Sequence, residues 1–138
     1  MTFGEVLVKS ESLRNVRTGT WPRSMAYAIS CNTKAFNNVF ETYNEQRRDI
    51  ASRYAVKDEN GKVLFDEVGN LIFETDLDNK RFHEEFKELL AIETNVSAVK
   101  FHEKELLKCE NDARYSILTP EQELALGWMI EYENHEND

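Results

Sequence analysis

The fold is decided by the stretch from Trp21 to Tyr54, whose sequence is WPRSMAYAISCNTKAFNNVFETYNEQRRDIASRY. Nine of its residues follow one another at steps of three or four, as residues on one face of a helix do. The first and last are 29 residues apart, or eight turns at 3.6 residues per turn, which predicts a nearly straight helix. Seven of the nine are apolar or aromatic, so this face needs a partner surface. The nine are Met25, Ile29, Asn32, Phe36, Phe40, Tyr43, Arg47, Ile50 and Tyr54.

Composition indicates one folded domain. A chain of 138 residues, 41% of them hydrophobic, can bury a sizeable core, and its five Gly and two Pro are too few for a disordered protein. No run approaches the roughly 18 apolar residues of a membrane span. Glu5 interrupts the short apolar run at the N-terminus, so no signal peptide is expected. Cys31 and Cys109 favour free thiols in a reducing cytoplasm.

Charge is unevenly distributed along the chain, whose net charge is −9. Residues 1–55 carry eight Lys or Arg and five Asp or Glu, a net charge of +3. Residues 56–138 carry nine Lys or Arg and twenty-one Asp or Glu, a net charge of −12. Because nucleic-acid-binding domains are usually basic, we expect no direct contact with DNA or RNA. The acidic half favours solubility, a basic protein partner or imitation of nucleic acid, and these alternatives stay open.

The N-terminal segment predicts a short amphipathic helix over residues 2–16. Thr2 and Glu5 fit a capping box, in which the two side chains satisfy free amides at the helix start. A break around Gly19 follows, and Pro22 suits the first turn of the long helix. Three basic residues surround this break, and we interpret them as a solvated loop rather than an anion site. They are Arg14, Arg17 and Arg23.

An internal repeat follows the long helix. DENGKVLF at residues 58–65 is followed directly by DEVGNLIF at residues 66–73. Each unit contains an acidic pair, a turn with Gly and an apolar triplet, which predicts the two strands of a β-hairpin joined through Gly69. A calcium loop beginning at Asp58 is excluded, because its twelfth position requires Glu and is Gly69. The expected cross-strand pairs are Phe65 with Leu71, Leu64 with Ile72 and Val63 with Phe73.

The hairpin is expected to have two apolar faces. Alternation along the strands predicts one face that packs on the helix ends, formed by Val63, Phe65, Leu71 and Phe73. The opposite face needs a cover, either from the later strand and C-terminal helix of the same chain or from another protein. If another protein covers it, the candidate partner-binding residues are Leu64, Ile72, Asp66 and Glu67.

The rest of the chain predicts a return helix, a short strand and a C-terminal helix. Asp76 and Asp78 favour a helix start, and the apolar face of this helix is expected to pack on Phe36 and Phe40. Residues 95–101 alternate as a strand does, and could join the hairpin sheet. Thr119-Pro120-Glu121-Gln122 combines the features of a helix N-terminus. The apolar face of the return helix is Phe82, Phe86, Leu89 and Leu90.

These elements predict an α+β fold that is mostly α. A long helix and a return helix pack antiparallel and are joined by a β-hairpin, with a short third strand and a C-terminal helix. We expect one domain over residues 1–138, with a short N-terminal helix, a helix–hairpin–helix unit, a strand plus C-terminal helix, and an acidic tail. Their ranges are 2–16, 22–93, 95–131 and 132–138.

Motifs of catalysis and cofactor binding are absent from the sequence. It contains no Gly-rich phosphate loop, HExxH, CxxC or Gly-x-Ser-x-Gly. His83 and His102 are interpreted as surface histidines rather than metal ligands. No His lies near Cys31 in sequence to activate its thiol, and the glutamates around Glu85 predict a solvated helix face rather than an acid/base pair. We therefore expect no enzymatic activity, cofactor or metal.

Several short runs carry a resemblance through their order and spacing. Together they resemble a family of small uncharacterised proteins encoded by phages and prophages of Gram-positive bacteria, over most of residues 22–131. The family supplies no catalytic residues. The resemblance implies a phage setting, in which the protein acts on other proteins or is built with them. The runs are MAYAI at 25–29, YNEQR at 43–47, KDENGK at 57–62, EFKELL at 85–90 and LTPE at 118–121.

Two classes of function follow from this resemblance and the charge. The first is a non-enzymatic phage accessory protein that binds a host protein, such as a defence component, and inhibits or redirects it. The second is a virion or assembly component, a head or tail part that packs as an oligomer. A nucleic-acid-mimicking acidic protein is a further alternative. The expected partner is a host or phage protein, with homo-oligomerisation open and no membrane, in the cytoplasm of the infected bacterial host or in the virion.

Overall fold

The computed structural model describes residues 1–133 and is mostly helical, with a small two-stranded parallel sheet. This confirms the predicted α+β class with a majority of α structure. Of the predicted acidic tail at 132–138, residues 134–138 lie outside the described residues. The elements are α1 (Phe3–Arg14), α2 (Arg23–Tyr54), α3 (Asp76–Leu90), β1 (Phe101–His102), α4 (Lys104–Asn111), α5 (Pro120–Ala125), a 3₁₀ turn (Gly127–Met129) and β2 (Ile130–Glu131).

The chain forms two compact units, each built from segments far apart in sequence. The first unit contains Met1, Glu5–Asn37 and the chain from Asn95 onward, and the second contains Thr2–Gly4 and Asn38–Thr94. Helix α2 therefore contributes its N-terminal part to the first unit and the rest to the second. The single domain over residues 1–138 stays a prediction.

Helix α2 is 32 residues long and buries most of the predicted stripe. Phe40 and Tyr54 are half-buried, whereas Arg47 is exposed, because an unpaired guanidinium is costly to bury. Neither α2 nor any other helix in residues 1–133 is long and apolar enough to cross a membrane. The buried stripe residues are Met25, Ile29, Asn32, Phe36, Tyr43 and Ile50.

Asn32 and Phe36 organise the first unit around α2. The fully buried amide of Asn32 donates from Nδ2 to the Val99 carbonyl at 2.9 Å, and its Oδ1 accepts the Val99 N–H at 2.9 Å. One side chain thus satisfies both backbone groups of Val99. Phe36 is buried as predicted, but the ring beside it is that of Trp128, with 5.7 Å between centroids. The ring partner therefore differs from the predicted return helix, which belongs to the second unit.

The C-terminal segment has the predicted helix start but a shorter helix. Thr119 Oγ1 accepts the Gln122 N–H at 3.1 Å, and Gln122 Oε1 accepts the Thr119 N–H at 2.9 Å, which completes the capping box. The helix ends at Ala125 rather than near residue 131, and the chain continues as the 3₁₀ turn and β2. The predicted helix was too long because an apolar run has the same composition in a helix and in a buried strand.

The third strand was predicted with the wrong partner. Of the predicted strand over residues 95–101, only Phe101 lies in a strand, β1. Strand β1 pairs in parallel with β2, with Phe101 opposite Ile130. The hairpin region belongs to the second unit. Alternation identifies a strand, but it carries no information about which segment pairs with it. Residues 95–100 are not in a strand ladder, and Asn32 holds the Val99 peptide groups instead.

In the second unit, α3 returns antiparallel along α2 as predicted. Ala55, just after α2, bridges Phe73, just before α3, while Tyr43 further back on α2 lies 6.4 Å from the ring of Phe86. Thr75 caps α3 by accepting the N–H of Asp78 at 3.1 Å. Further ring pairs complete an aromatic core, namely Phe3–Tyr43 at 5.9 Å, Phe82–Phe86 at 5.9 Å and Phe73–Phe82 at 5.3 Å.

Candidate docking site in the turn module

The two repeat units form two turns of the same geometry between α2 and α3. In each turn, one Asp oxygen accepts the N–H groups two and four residues further on. The distances are 2.8 and 3.0 Å for Asp58, and 2.9 Å twice for Asp66. Gly61 and Gly69 have φ angles of +81° and +89°, in the left-handed region that favours Gly. Residues 55–73, called the turn module below, therefore contain two preformed turns.

The turn module pairs three chain segments rather than two. The predicted bridge between Phe65 and Leu71 is present. Val63 was predicted to pair with Phe73, but this pair is not formed. The chain just after α2 supplies a third segment, which pairs with both residues instead and which the two-unit repeat did not reveal. The bridges are Ala55–Phe73, Lys57–Val63 and Phe65–Leu71, the last two being related by a shift of eight residues.

Three apolar residues spaced eight apart, Val56, Leu64 and Ile72, hydrogen-bond to one another between these bridges. The N–H of Val56 donates to Ile72 O at 2.8 Å, that of Leu64 to Val56 O at 2.8 Å, and that of Ile72 to Leu64 O at 3.3 Å. The three hydrogen bonds form a closed cycle, so each segment is paired with both others. Val56 was not predicted to belong to the module, although its spacing of eight residues from Leu64 was the available signal.

The predicted inner face of the hairpin is formed only in part. Phe73 packs on Phe82, and Val63 and Leu71 are half-buried as well. Phe65 was predicted to join them, but 58% of its surface is exposed. Leu71, which pairs with Phe65, is more deeply buried than Phe65. Two residues paired across neighbouring segments therefore differ in burial here.

The predicted outer face is partly open to solvent. Leu64 and Ile72 are each 37% exposed, so no segment within residues 1–133 covers them fully. Val68, in the second turn, is 84% exposed, and Phe65 adds an aromatic ring. Exposed apolar groups gathered on one module are typical of an interaction surface.

Carboxylates outnumber cations around these apolar side chains. The turn module carries four Asp or Glu and two Lys, a net charge of −2, and residues 74–78 beside it add three carboxylates, which gives −5 over residues 55–78. Of the predicted partner-binding acids, Asp66 uses one oxygen for the turn, so part of its hydrogen-bonding capacity is already occupied. Glu67 is exposed. The module therefore combines apolar contacts with a negative field that attracts a basic surface.

Glu85 on α3 is linked to the last turn of α2, just before the turn module begins. Arg53 Nη1 lies 3.2 Å from Glu85 Oε1, which joins α2 to α3. A hydrogen bond to the Glu85 carboxylate raises the pKa of the Tyr54 hydroxyl above its usual range. Glu85 is half-buried, which corrects its interpretation as part of a fully solvated helix face.

The histidines and cysteines considered in the sequence do not converge on a metal or catalytic site within residues 1–133, and His102 Nε2 lies 3.7 Å from Glu133 Oε1. In the part of the chain that the structure describes, no group of three His, Cys, Asp or Glu residues could hold a metal ion. His83 Nδ1 lies 2.8 Å from Asn79 O, and His102 Nδ1 accepts the Lys104 N–H at 3.1 Å. Burial raises the pKa of the Cys109 thiol, which favours its neutral form.

Comparison with known proteins returns no relative for this chain. No protein-family model, curated protein or solved structure matches it significantly. The geometry and chemistry of the turn module are therefore the structural basis for a function, and the phage family stays a prediction from the short runs of sequence.

Proposed function

We propose that the protein is a non-enzymatic phage accessory factor whose turn module docks on a host protein, such as a defence component, and inhibits or redirects it. The observation that carries this proposal is the exposure of Leu64 and Ile72 on a module whose three segments are held together by backbone hydrogen bonds. A preformed module loses little conformational entropy on binding. The phage setting is supported by the resemblance of residues 22–131.

The charge of the module favours a basic target surface. Together the module and the adjoining residues 74–78 have a net charge of −5, so long-range attraction would speed the encounter and orient the partner, while the apolar side chains supply contact area. A target that normally handles nucleic acid has such a surface. If the protein imitates nucleic acid, duplex DNA should compete with it for the target. If it docks at a different surface of the target, DNA should not compete.

A second candidate function is a virion or assembly component. It is favoured by exposed apolar residues in the first unit as well, because a subunit with several neighbours needs more than one contact surface. These residues include Val8, Tyr27, Ile117 and Leu124. Size-exclusion chromatography with light scattering separates the two functions, since a stable high-order ring supports assembly and a monomer or dimer supports the accessory factor.

The docking proposal is tested by the double substitution Leu64→Asp and Ile72→Asp. Two carboxylates placed in a desolvated contact should weaken partner binding by at least about tenfold, or about 1.4 kcal/mol. The partner is captured from host cells, identified by mass spectrometry, and its purified form is titrated against each variant. The variant should keep the helical circular dichroism and melting temperature of the original chain.

The matched control is Val8→Asp with Leu124→Asp, which adds the same charge at apolar residues that are 74% and 85% exposed. This control should retain partner binding. Unfolding of the Leu64 and Ile72 variant alone would identify that face as core and contradict the docking proposal. Equal loss of binding in both variants would place the contact elsewhere.

A further inference from the structure

A separate pocket of about 260 Å³ opens in the first unit beside α4. Most of its lining is apolar, and the buried Cys109 thiol contributes a small, neutral wall. Two carboxylates complete the lining. The lining residues are Leu106, Cys109, Glu110, Ile117, Leu118 and Glu123.

Hydrogen bonds hold one wall of the pocket in place. The N–H of Ser116 donates to Thr20 O at 2.7 Å, and the N–H of Thr20 donates back to Ser116 Oγ at 2.9 Å. Arg114 pairs with Asp112 at 2.7 Å just before this point. The segment that carries Ile117 and Leu118 is therefore ordered without a ligand, which lowers the entropy lost on binding.

The two glutamates in the lining keep their negative charge available. Within residues 1–133, neither Glu110 nor Glu123 makes an ion pair, and two cations close to them in sequence, Lys108 and Arg114, are engaged with other carboxylates. Lys108 lies 3.2 Å from Glu105, and Arg114 is held by Asp112. A basic group from another molecule would thus meet uncompensated carboxylates beside an apolar pocket.

We propose that this pocket receives one apolar side chain from a basic segment of a partner protein. Small-molecule sites usually have volumes of roughly 300–1,000 Å³, so a pocket of about 260 Å³ suits a single anchoring side chain better than a cofactor. Ile117, which is 82% exposed, extends the apolar contact at the mouth. Lys or Arg residues on either side of the anchor would meet Glu110 and Glu123.

This docking pocket uses residues other than those of the turn module, and it does not depend on the function proposed for that module. If both sites are occupied by protein partners, the chain joins two binding surfaces as an adaptor does. A variant that loses binding at the pocket should still bind through the turn module, and the reverse should also hold. One proposal can therefore be wrong while the other stands.

The test is an NMR titration of the isotope-labelled full chain with the peptide acetyl-Arg-Lys-Leu-Lys-Arg-amide. Saturable shifts are expected for the amides of Leu106, Cys109 and Leu118. Replacing the central leucine of the peptide by serine removes the anchor and should weaken binding at least about tenfold. A peptide with glutamates in place of the four cations should give no saturable shift.

Two pairs of variants make the location of binding testable. Ile117→Ser should weaken binding of the leucine peptide by about threefold or more, whereas Leu124→Ser, at a residue that is 85% exposed but outside the lining, should leave it within about twofold. Glu110→Gln should also weaken binding, and Glu121→Gln, exposed and outside the lining, is its control.

Several results would overturn the proposal. Equal binding of the leucine and serine peptides would mean attraction by charge alone, and no saturable shift up to about 5 mM leucine peptide would mean that the pocket does not take such a segment. Shifts confined to residues 55–73 would assign the peptide to the turn module. Concentration-dependent broadening of pocket amides without peptide would identify a second copy of the chain as the occupant.

Discussion

Phe36 and Phe65 show how the same side chain has different roles at two positions of this fold. Phe36 is 1% exposed and lies beside Trp128, whereas Phe65 is 58% exposed in the turn module. Both follow an apolar pattern in the sequence. Only the surrounding structure determines whether truncation of the ring leaves a cavity or removes an exposed surface group.

We predict that Phe36→Ala lowers the free energy of unfolding by about 3–5 kcal/mol, because it leaves a cavity in the core of the first unit. The control is Phe65→Ala, which should cost less than about 1 kcal/mol, since its ring is largely in water already. Urea unfolding followed by circular dichroism measures both values. A cost below about 1 kcal/mol for Phe36→Ala would mean that this ring does not belong to the core.

At the scale of the element, the turn module depends on backbone conformation more than on burial. Gly61 and Gly69 both have positive φ, and each turn is closed by hydrogen bonds to its Asp side chain. A Cβ added at Gly69 would meet nothing within 4 Å, and the same holds at Gly127 in the 3₁₀ turn. The two positions thus differ in backbone conformation but not in available space.

We predict that Gly69→Ala lowers the free energy of unfolding by about 1–2 kcal/mol, because an L-residue is strained in the left-handed region. Gly127→Ala should change it by no more than about 0.5 kcal/mol. Thermal and urea unfolding of the two variants measure the difference. Equal effects would show that the positive φ angle of Gly69 does not determine the response.

At the scale of the whole molecule, the dominant physical feature is the separation of charge along the chain. Residues 1–55 have a net charge of +3 and residues 56–138 of −12. The turn module lies in the acidic part, where its carboxylates are exposed and therefore act at a distance. Such fields are screened beyond about 10 Å at roughly 0.1 M salt.

We predict that association with a basic partner slows by about tenfold between roughly 0.02 M and 0.3 M salt, because screening removes the steering field. Glu59→Gln with Glu67→Gln should reduce this salt dependence. Glu41→Gln with Glu45→Gln, which removes the same charge from exposed positions on α2, is the control and should change it less. Stopped-flow kinetics measures the rates. An association rate that does not change with salt would leave the apolar side chains as the binding determinant.

Regular patterns in the sequence predicted α1, α2 and α3, but they did not reveal α4 and made the C-terminal helix too long. The stripe of α2, the capping box at Thr119 and the acidic start of α3 depend on residues within a few positions of one another, and the structure contains all three. The repeat also predicted the bridge between Phe65 and Leu71. These features are local, so short-range spacing carries the necessary information.

By itself, the sequence determined the helical class of the protein, the length of its main helix and the acidic, apolar character of the candidate site. Only the tertiary structure decided the partners, placing Trp128 beside Phe36, pairing β1 with β2 and bringing Ala55 and Val56 into the turn module. Periodicity specifies which face of an element is apolar. It does not specify which distant segment covers that face, because many apolar surfaces would bury the same area with similar energy.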